Sequence, residues 1–161
     1  MERLQDTKRS DAIRYWAFED SLGYLARMVF RSFSVLREQR TRDYGVSAGQ
    51  WAFLRQLWRE DGISQRELSR RLAMRDATTV VTLRGMERAA LVHRRVNRCD
   101  RRETLVFLTP HARSLEKILL PVAADVQLQA TRNFSVEEME TLRRLLIRVI
   151  ENLSHEDPFS G

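Results

Sequence analysis

The sequence has few of the residues that cross-link or interrupt a chain. Its 161 residues include 1 cysteine, 3 prolines and 6 glycines. A single cysteine excludes an internal disulfide and a thiolate metal cluster, and the scarcity of proline and glycine favours long helices. The longest apolar run, residues 118–124, is far shorter than the ~20 residues of a membrane span. Because no apolar segment follows the charged amino terminus, we expect a cytoplasmic protein without a secretory signal.

The motifs of catalysis are also missing. The three histidines, His93, His111 and His155, stand at spacings that build no metal site. The sequence contains no nucleophile elbow and no phosphate-binding loop, and Cys99 has no neighbouring histidine to serve as a base. We therefore expect neither an enzyme nor a protein with a metal or other cofactor. A redox role for Cys99 is the alternative to an incidental surface thiol.

What the sequence does have is arginine, concentrated in one segment. The chain carries 28 basic and 22 acidic side chains, a net charge of +6. Residues 62–106 contain eleven arginines against five acidic residues, which equals the whole excess and leaves 17 basic and 17 acidic groups elsewhere. A polyanion such as DNA would neutralise this 45-residue segment.

Helix-start signals and hydrophobic periodicity predict the order of elements. Capping boxes begin at Ser47, Ser64 and Ser135, and Thr109-Pro110 places a cap residue before a proline. The pattern predicts a long helix ending before Tyr44, then three helices, a β-hairpin with strands near 92–96 and 104–108, and two more helices. A shorter helical extension is expected around Ile13 and Trp16. The predicted fold is mainly α with a small β-hairpin wing, a winged helix-turn-helix flanked by N- and C-terminal dimerisation helices.

We expect one domain over residues 1–161, with an N-terminal dimerisation region (10–45), a DNA-binding region (46–108) and C-terminal dimerisation helices (109–155). The terminal helices carry an apolar stripe that fits a homodimer, although an intramolecular three-helix core is the alternative. The stripe of the last helix consists of Val136, Met139, Leu142, Leu145, Leu146, Val149, Ile150 and Leu153.

The predicted helix 76–89 has two faces. One face should turn to the core through Thr79, Leu83, Met86 and Ala90. The opposite face carries no acid, and its side chains could contact bases and phosphates, or could form an ordinary solvated surface. The DNA-contacting candidates in and just before this helix are Arg75, Thr78, Val81, Arg84 and Arg88.

The hairpin loop is the densest basic segment, with five arginines and one aspartate in residues 94–102. An arm with arginines at its tip suits a minor groove, although a solvated basic hairpin is the alternative. We expect Asp100 to orient Arg102. The candidates for DNA contact in this hairpin are Arg95, Asn97, Arg98, Arg101 and Arg102.

Two segments resemble the MarR family of transcriptional regulators. Residues 94–112, with Asp100-Arg101-Arg102 and the run Leu105 to Pro110, are similar to the family's wing, and residues 64–92 resemble its helix-turn-helix. The similarity extends over roughly residues 20–153. Three positions depart from the family pattern: Val81 replaces a frequent basic residue, and Ala90 and Ala112 replace common glycines.

The resemblance implies a homodimeric repressor that binds pseudo-palindromic double-stranded DNA and leaves it when a small aromatic or phenolic ligand binds. It also implies that Arg102 is the minor-groove arginine and Asp100 its partner. Candidate effector-binding residues are Tyr15, Trp16, Trp51, His111 and Arg113, for which core packing or surface exposure is the alternative. A different functional class is a winged-helix module that docks an acidic protein without specific DNA binding.

Overall fold

The structure, a computed structural model, describes residues 21–154 as a mainly helical chain with a small sheet. In chain order its elements are α1 (Leu22–Thr41), a 3₁₀ turn (Arg42–Tyr44), α2 (Ala48–Arg59), β1 (Ile63–Ser64), α3 (Gln65–Arg71), α4 (Asp76–Arg88), β2 (Val92–Val96), β3 (Thr104–Leu108), α5 (Pro110–Ala130) and α6 (Val136–Ser154). The predicted fold class is confirmed. The extension expected around Ile13 and Trp16 lies outside the described residues. Between residues 21 and 154, no helix has the length and apolar character needed to cross a membrane.

Side-chain caps explain where several helices begin. The Ser47 hydroxyl accepts from the Gln50 N–H while the Gln50 side chain accepts from the Ser47 N–H, so this capping box is complete. The box at Ser135 is complete in the same way. At Ser64 the hydroxyl accepts from the Glu67 N–H, but the Glu67 carboxylate bonds two arginines instead of reaching back.

The sheet is antiparallel, with the strand order β1-β3-β2. In the β2–β3 hairpin Val92 pairs with Leu108 and Val96 with Thr104, as expected for a wing. The sequence prediction missed β1, whose two residues pair with β3 beside Val106. A two-residue strand has no periodicity to reveal it, and its pairing depends on a contact between distant parts of the chain.

The hydrophobic core lies in the compact unit that ends at residue 126. Helix α2 contributes most to it, because Trp51, Phe53, Leu54 and Leu57 are all buried on one face. The remaining buried apolar residues of the core are Val46, Ile63, Leu68, Leu83, Met86, Leu91, Val92, Val106, Leu108, Ala112, Leu115 and Leu119. This core fixes the short helices and the hairpin that carry the basic segment.

The second compact unit, which starts at residue 127, contains α6. None of the residues of α6 is buried, and its most exposed large apolar side chains are Val136 and Leu153, each 69% exposed, and Ile150, 62% exposed. A helix this amphipathic ordinarily buries its apolar face.

One prediction for the core was wrong. Thr79, Leu83 and Met86 are buried as expected, but Ala90 is exposed. Helix α4 ends at Arg88, and Ala90 has a left-handed backbone with φ of 52°. The helical period therefore stops before this residue, and its side chain leaves the core face.

Candidate nucleic-acid interface

Helix α4 presents an exposed face that carries no acidic side chain. Ala77, Thr78, Val81, Arg84 and Arg88 are all exposed, and Val81 is exposed over 65% of its surface. Val81, Arg84 and Arg88 recur at intervals of three and four, and Ala77 and Thr78 stand about one turn before Val81, so all five lie along one side of the helix. The face combines small side chains, the branched apolar side chain of Val81 and the guanidinium groups of Arg84 and Arg88. These groups can contact base edges and phosphates.

A hydroxyl pair holds α4 against α3. The hydroxyl oxygens of Ser69 and Thr79 are 2.9 Å apart in the core, and both residues are buried. Between the two helices, Ala73 has a φ of 48° and the Met74 N–H donates to the Ser69 carbonyl. These contacts fix the angle at which the exposed face of α4 is presented.

A second set of contacts joins α4, α3 and the hairpin. Arg94 of β2 donates to the carboxylate of Glu87 at 2.6 Å and to the side-chain oxygen of Gln65 at 3.4 Å. This hydrogen bond from Arg94 lowers the pKa of Glu87, and the same bond raises the pKa of Arg94. Arg94 therefore acts within the protein, unlike the exposed arginines of the hairpin loop. No pattern in the sequence indicates this pair, because its partners lie on different elements.

The hairpin loop is closed by its own polar groups. Asn97 donates from its carboxamide to Glu103 at 2.9 Å, and its carboxamide oxygen accepts from the Cys99 N–H at 3.0 Å. Asn97, predicted as a DNA contact, is thus engaged in shaping the loop. Arg98 and Arg101 are exposed on it.

Asp100 and Arg102 lie together at the hairpin tip, as the sequence predicted. The Asp100 carboxylate accepts from the Arg102 N–H at 2.9 Å, and the Arg102 Nε lies 3.8 Å from the same oxygen. The Arg102 side chain is nevertheless 95% exposed. Asp100 therefore fixes the backbone at Arg102 while the guanidinium remains available to a partner.

A polar groove of about 260 Å³ runs between the hairpin and the start of α3. Its lining includes Ser64, Gln65 and Arg66 on one side and Asp100, Arg102, Glu103 and Thr104 on the other. Sequence reasoning did not single out Arg66, although it is exposed and belongs to the basic segment. Its place near Arg102 extends the basic surface from the hairpin onto α3.

Aromatic packing supports the base of the hairpin. The Phe107 ring stacks on His93 with 5.5 Å between ring centres, and the Arg95 guanidinium lies 5.6 Å from the Phe107 centre. Gly62 has a φ of 75°, and a Cβ there would come within 2.6 Å of the Phe107 ring. Only glycine satisfies both the backbone angle and this close approach. Arg95 is thus exposed but held on the hairpin face by the ring.

Arg75 lies at the N-cap of α4 and is exposed, next to the acid-free face. Taken together, the structure places Arg75, Thr78, Val81, Arg84 and Arg88 on or beside one exposed helix face. It places Arg95, Arg98, Arg101 and Arg102 on the exposed hairpin.

The effector candidates fall into separate environments. Tyr15 and Trp16 lie outside the described residues. Trp51 is 7% exposed and packs edge-on against Trp58, with 5.7 Å between ring centres. His111 and Arg113 are exposed on the first turn of α5.

Arg113 forms an ion pair with Asp61, whose other carboxylate oxygen accepts from the Leu108 N–H at 2.8 Å. These contacts join the loop before β1, the end of β3 and the start of α5. The described residues also contain no group of three or more histidine, cysteine or acidic side chains placed to hold a metal ion.

Comparison with known proteins gives the same picture. The family model described as MarR family matches residues 44–103. A search of curated proteins finds no match. A probable transcriptional regulator from Pseudomonas aeruginosa is 30% identical, with a TM-score of 0.73, over 82% of this chain and 98% of that chain.

Two further solved structures share the fold. A MarR transcriptional regulator from Methanosarcina mazei Go1 is 28% identical over 83% of this chain and 96% of that chain, with a TM-score of 0.75. The MepR–DNA complex of S. aureus has a TM-score of 0.77 at 22% identity, over 82% of this chain and 98% of that chain. The exposed helix face, the basic hairpin and the matching family model agree, and the chain belongs to the MarR family of DNA-binding transcriptional regulators.

Proposed function

We propose that this protein is a cytoplasmic homodimeric repressor that binds a pseudo-palindromic operator and is released from it by a small aromatic or phenolic ligand. The observation that carries the proposal is the acid-free, exposed face of α4 beside a hairpin whose Arg102 side chain is 95% exposed. Exposed arginines held close together repel one another, and a nucleic acid backbone offsets that repulsion.

In this proposal α4 enters the major groove. Thr78, Arg84 and Arg88 would contact phosphates or base edges, and Val81 would contact a thymine methyl. Arg75, at the start of the helix, would contact the backbone. The MepR structure that shares this fold is a complex with DNA, which supports the same use of the fold here.

The hairpin would take the flanking minor groove. Arg102 would enter the groove, oriented through the backbone bond that Asp100 makes to it. The exposed side chains of Arg95, Arg98 and Arg101 would neutralise the phosphates on either side. Asn97 would contribute by keeping the loop closed.

The dimer would form through the terminal regions, residues 10–45 and 109–155. Helix α6 has an unburied apolar face, and α1 exposes Leu22, Val29 and Phe30, the last over 71% of its surface. A protein that reads DNA with one helix gains affinity and site length from two-fold symmetry. The partner proposed for these apolar faces is therefore a second copy of the chain.

Ligand release is proposed through the effector candidates. The proposed effector-binding residues are Tyr15, Trp16, Trp51, His111 and Arg113. A ligand that reached the Asp61–Arg113 pair would act on a contact that joins α5 to the end of β3 and so to the hairpin.

A gel shift with the DNA upstream of the protein's own gene tests the proposal. The expected result is a complex at about 10 nM protein or below, which resists competition by a shuffled duplex of equal length and composition. Equal competition by the shuffled duplex would contradict specific repression. Binding to polyglutamate in preference to both duplexes would favour docking of an acidic protein.

A further inference from the structure

One arginine of the hairpin is bonded to two different helices. Arg94 donates to the Glu87 carboxylate of α4 at 2.6 Å and to the Gln65 side-chain oxygen of α3 at 3.4 Å. The Arg94 and Glu87 side chains are only 23% and 32% exposed. A charge-assisted hydrogen bond that is partly shielded from water is short and directional, so it can hold two elements at a fixed angle.

Beyond Arg94 the hairpin has no further hydrogen bond to the helices. In the described part of the chain, the hydrogen bonds of residues 95–103 are all made inside the hairpin. The base of the hairpin is fixed in another way, because Val92, Val106 and Leu108 are buried in the core. Arg94 therefore makes the outermost side-chain bond between the hairpin and the helices.

This bond lies at the base of a lever. Arg98, in the hairpin loop, stands four residues after Arg94. Since a strand rises ~3.3 Å per residue, the tip lies roughly 13 Å from the bond, and a rotation of about 10° there would move the tip by roughly 2 Å. Binding groups must be held more precisely than this to make their contacts.

The partner of Arg94 is an acid on a helix that should contact a polyanion. Glu87 stands three residues after Arg84, at the border of the exposed face of α4. The bond from Arg94 and, to a smaller extent, the charge of Arg84 lower the pKa of Glu87. A carboxylate at this position repels phosphates. Its bond to Arg94 is the contact that can offset this cost.

We propose that Glu87 and Arg94 are positioning residues for DNA binding, which set the angle between α4 and the hairpin so that both elements reach DNA together. Neither side chain contacts DNA in this role, and Gln65 supports Arg94 from α3. The role rests on the proposed function, since it concerns how the same surface binds DNA. The expected consequence is that an acidic side chain promotes binding to a polyanion, the opposite of the effect of its charge alone.

The first test removes the carboxylate and keeps its shape. Glu87→Gln should weaken binding of the full-length protein to the duplex upstream of its own gene by on the order of 10-fold, although the variant is more positive. Fluorescence anisotropy measures the affinity.

Asp76→Asn is the matched control. Asp76 is exposed in the first turn of α4, and no ion pair within residues 21–154 includes it. Because this variant removes the same charge from the same helix, it should bind as tightly as the wild type or more tightly.

The second test compares two neighbouring arginines. Arg94→Gln should weaken binding about as much as Glu87→Gln, and the double variant should lose no more than either single variant, because the two side chains act as one pair. The salt dependence of binding should keep the wild-type slope in Arg94→Gln, since Arg94 neutralises no phosphate. Arg95→Gln removes an exposed arginine and should make that slope shallower by about 2 in a dimer.

Amide hydrogen exchange without DNA distinguishes a failure of this role from a failure of the proposed function. Residues 95–104 should exchange faster in Glu87→Gln and Arg94→Gln than in the wild type, and at the wild-type rate in Asp76→Asn. Exchange in α2 should be equal in all four proteins, which verifies that the core is intact.

Wild-type or tighter binding by Glu87→Gln would overturn the positioning role and leave the proposed function standing. So would a shallower salt slope in Arg94→Gln, or unchanged hairpin exchange in both variants. If the wild type binds no duplex, the proposed function fails and the positioning role fails with it. If Glu87→Gln does not fold, Arg94→Gln decides by its affinity, its salt slope and its hairpin exchange.

Discussion

Two regions of this molecule expose side chains of opposite character, charged in one region and apolar in the other. The segment 62–106 holds the entire net charge of +6 and displays arginines on α4 and on the hairpin. The terminal helices α1 and α6 belong to the electrically balanced remainder and display apolar side chains. The partner that we propose for each region has the complementary chemistry, a polyanion in the first case and an apolar protein surface in the second.

Helices α2 and α6 have similar apolar patterns but differ in burial. Helix α2 buries four large apolar side chains against the core of its own chain. Helix α6 has an apolar stripe of similar regularity, yet it has no buried residue. Amphipathic pattern alone therefore does not tell which partner covers a helix. The unburied stripe of α6 is what we expect of a helix that packs in a dimer.

The largest expected effect comes from placing a charge in that stripe. Ile150→Glu should raise the dissociation constant of the dimer by on the order of 100-fold, because the new carboxylate would be buried at the interface without a partner. In sedimentation at micromolar concentration, the wild type should have about twice the chain mass of 19.0 kDa, and the variant should approach 19.0 kDa.

Arg148→Glu is the matched control for this variant. It introduces the same carboxylate side chain two residues away, on the opposite side of α6, and should leave the dimer intact. A wild-type protein that sediments as a monomer would refute the homodimer, and dissociation in both variants would refute the assignment of the apolar stripe as the interface.

An intermediate effect is expected in the charged region. Arg102→Ala should weaken operator binding by about 1–3 kcal/mol, because it removes the charge that we propose to contact the minor groove. The melting temperature should not change, since the side chain is 95% exposed. A binding titration by fluorescence anisotropy, with Arg148→Ala as the control, measures this loss. Wild-type affinity in Arg102→Ala would remove this residue from the DNA contacts.

The smallest expected effect concerns the turn between α4 and β2. Ala90→Gly should stabilise the fold by about 0.5–1 kcal/mol, because an alanine with φ of 52° is strained where glycine is not. Its exposed methyl group contributes no core packing. Thermal unfolding followed by circular dichroism measures the change.

Ala89→Gly provides the contrast for this substitution. Its φ is −81°, an ordinary angle for alanine, so the glycine should destabilise the protein by increasing the freedom of the unfolded chain. Equal effects of the two substitutions would contradict the strain at Ala90.

Much of the fold follows from local signals in the sequence. The caps at Ser47 and Ser135 involve residues three apart, and the hairpin is marked by alternating β-branched residues on both sides of a polar loop. Such features depend on neighbouring residues, so a single sequence reveals them. Strand β1 and the left-handed backbone that turns Ala90 away from the core depend on contacts made after folding, and the sequence did not indicate them.

The candidate site likewise combines features that the sequence predicts with features that it does not. Charge counting located the basic segment, and the spacing of Asp100 and Arg102 predicted their contact. Charge counting did not distinguish arginines that bond groups within the protein from arginines whose side chains are exposed. Arg94 lies in the same basic run as Arg95, yet it bonds Glu87 and Gln65. Arg94 differs from Arg95 because its position in β2 brings it to these two side chains of α3 and α4.

The most direct test of whether the charged region binds DNA is the salt dependence of operator binding. Because neutralised phosphates release counterions, the logarithm of the association constant should fall steeply and linearly with the logarithm of salt concentration, with a slope of about −0.9 per phosphate contact. In a dimer, Arg102→Ala should make that slope shallower by about 2, one contact per protomer, while Arg148→Ala should leave it unchanged. A wild-type slope near zero, or equal slopes for the wild type and Arg102→Ala, would contradict the assignment of the charged region to DNA.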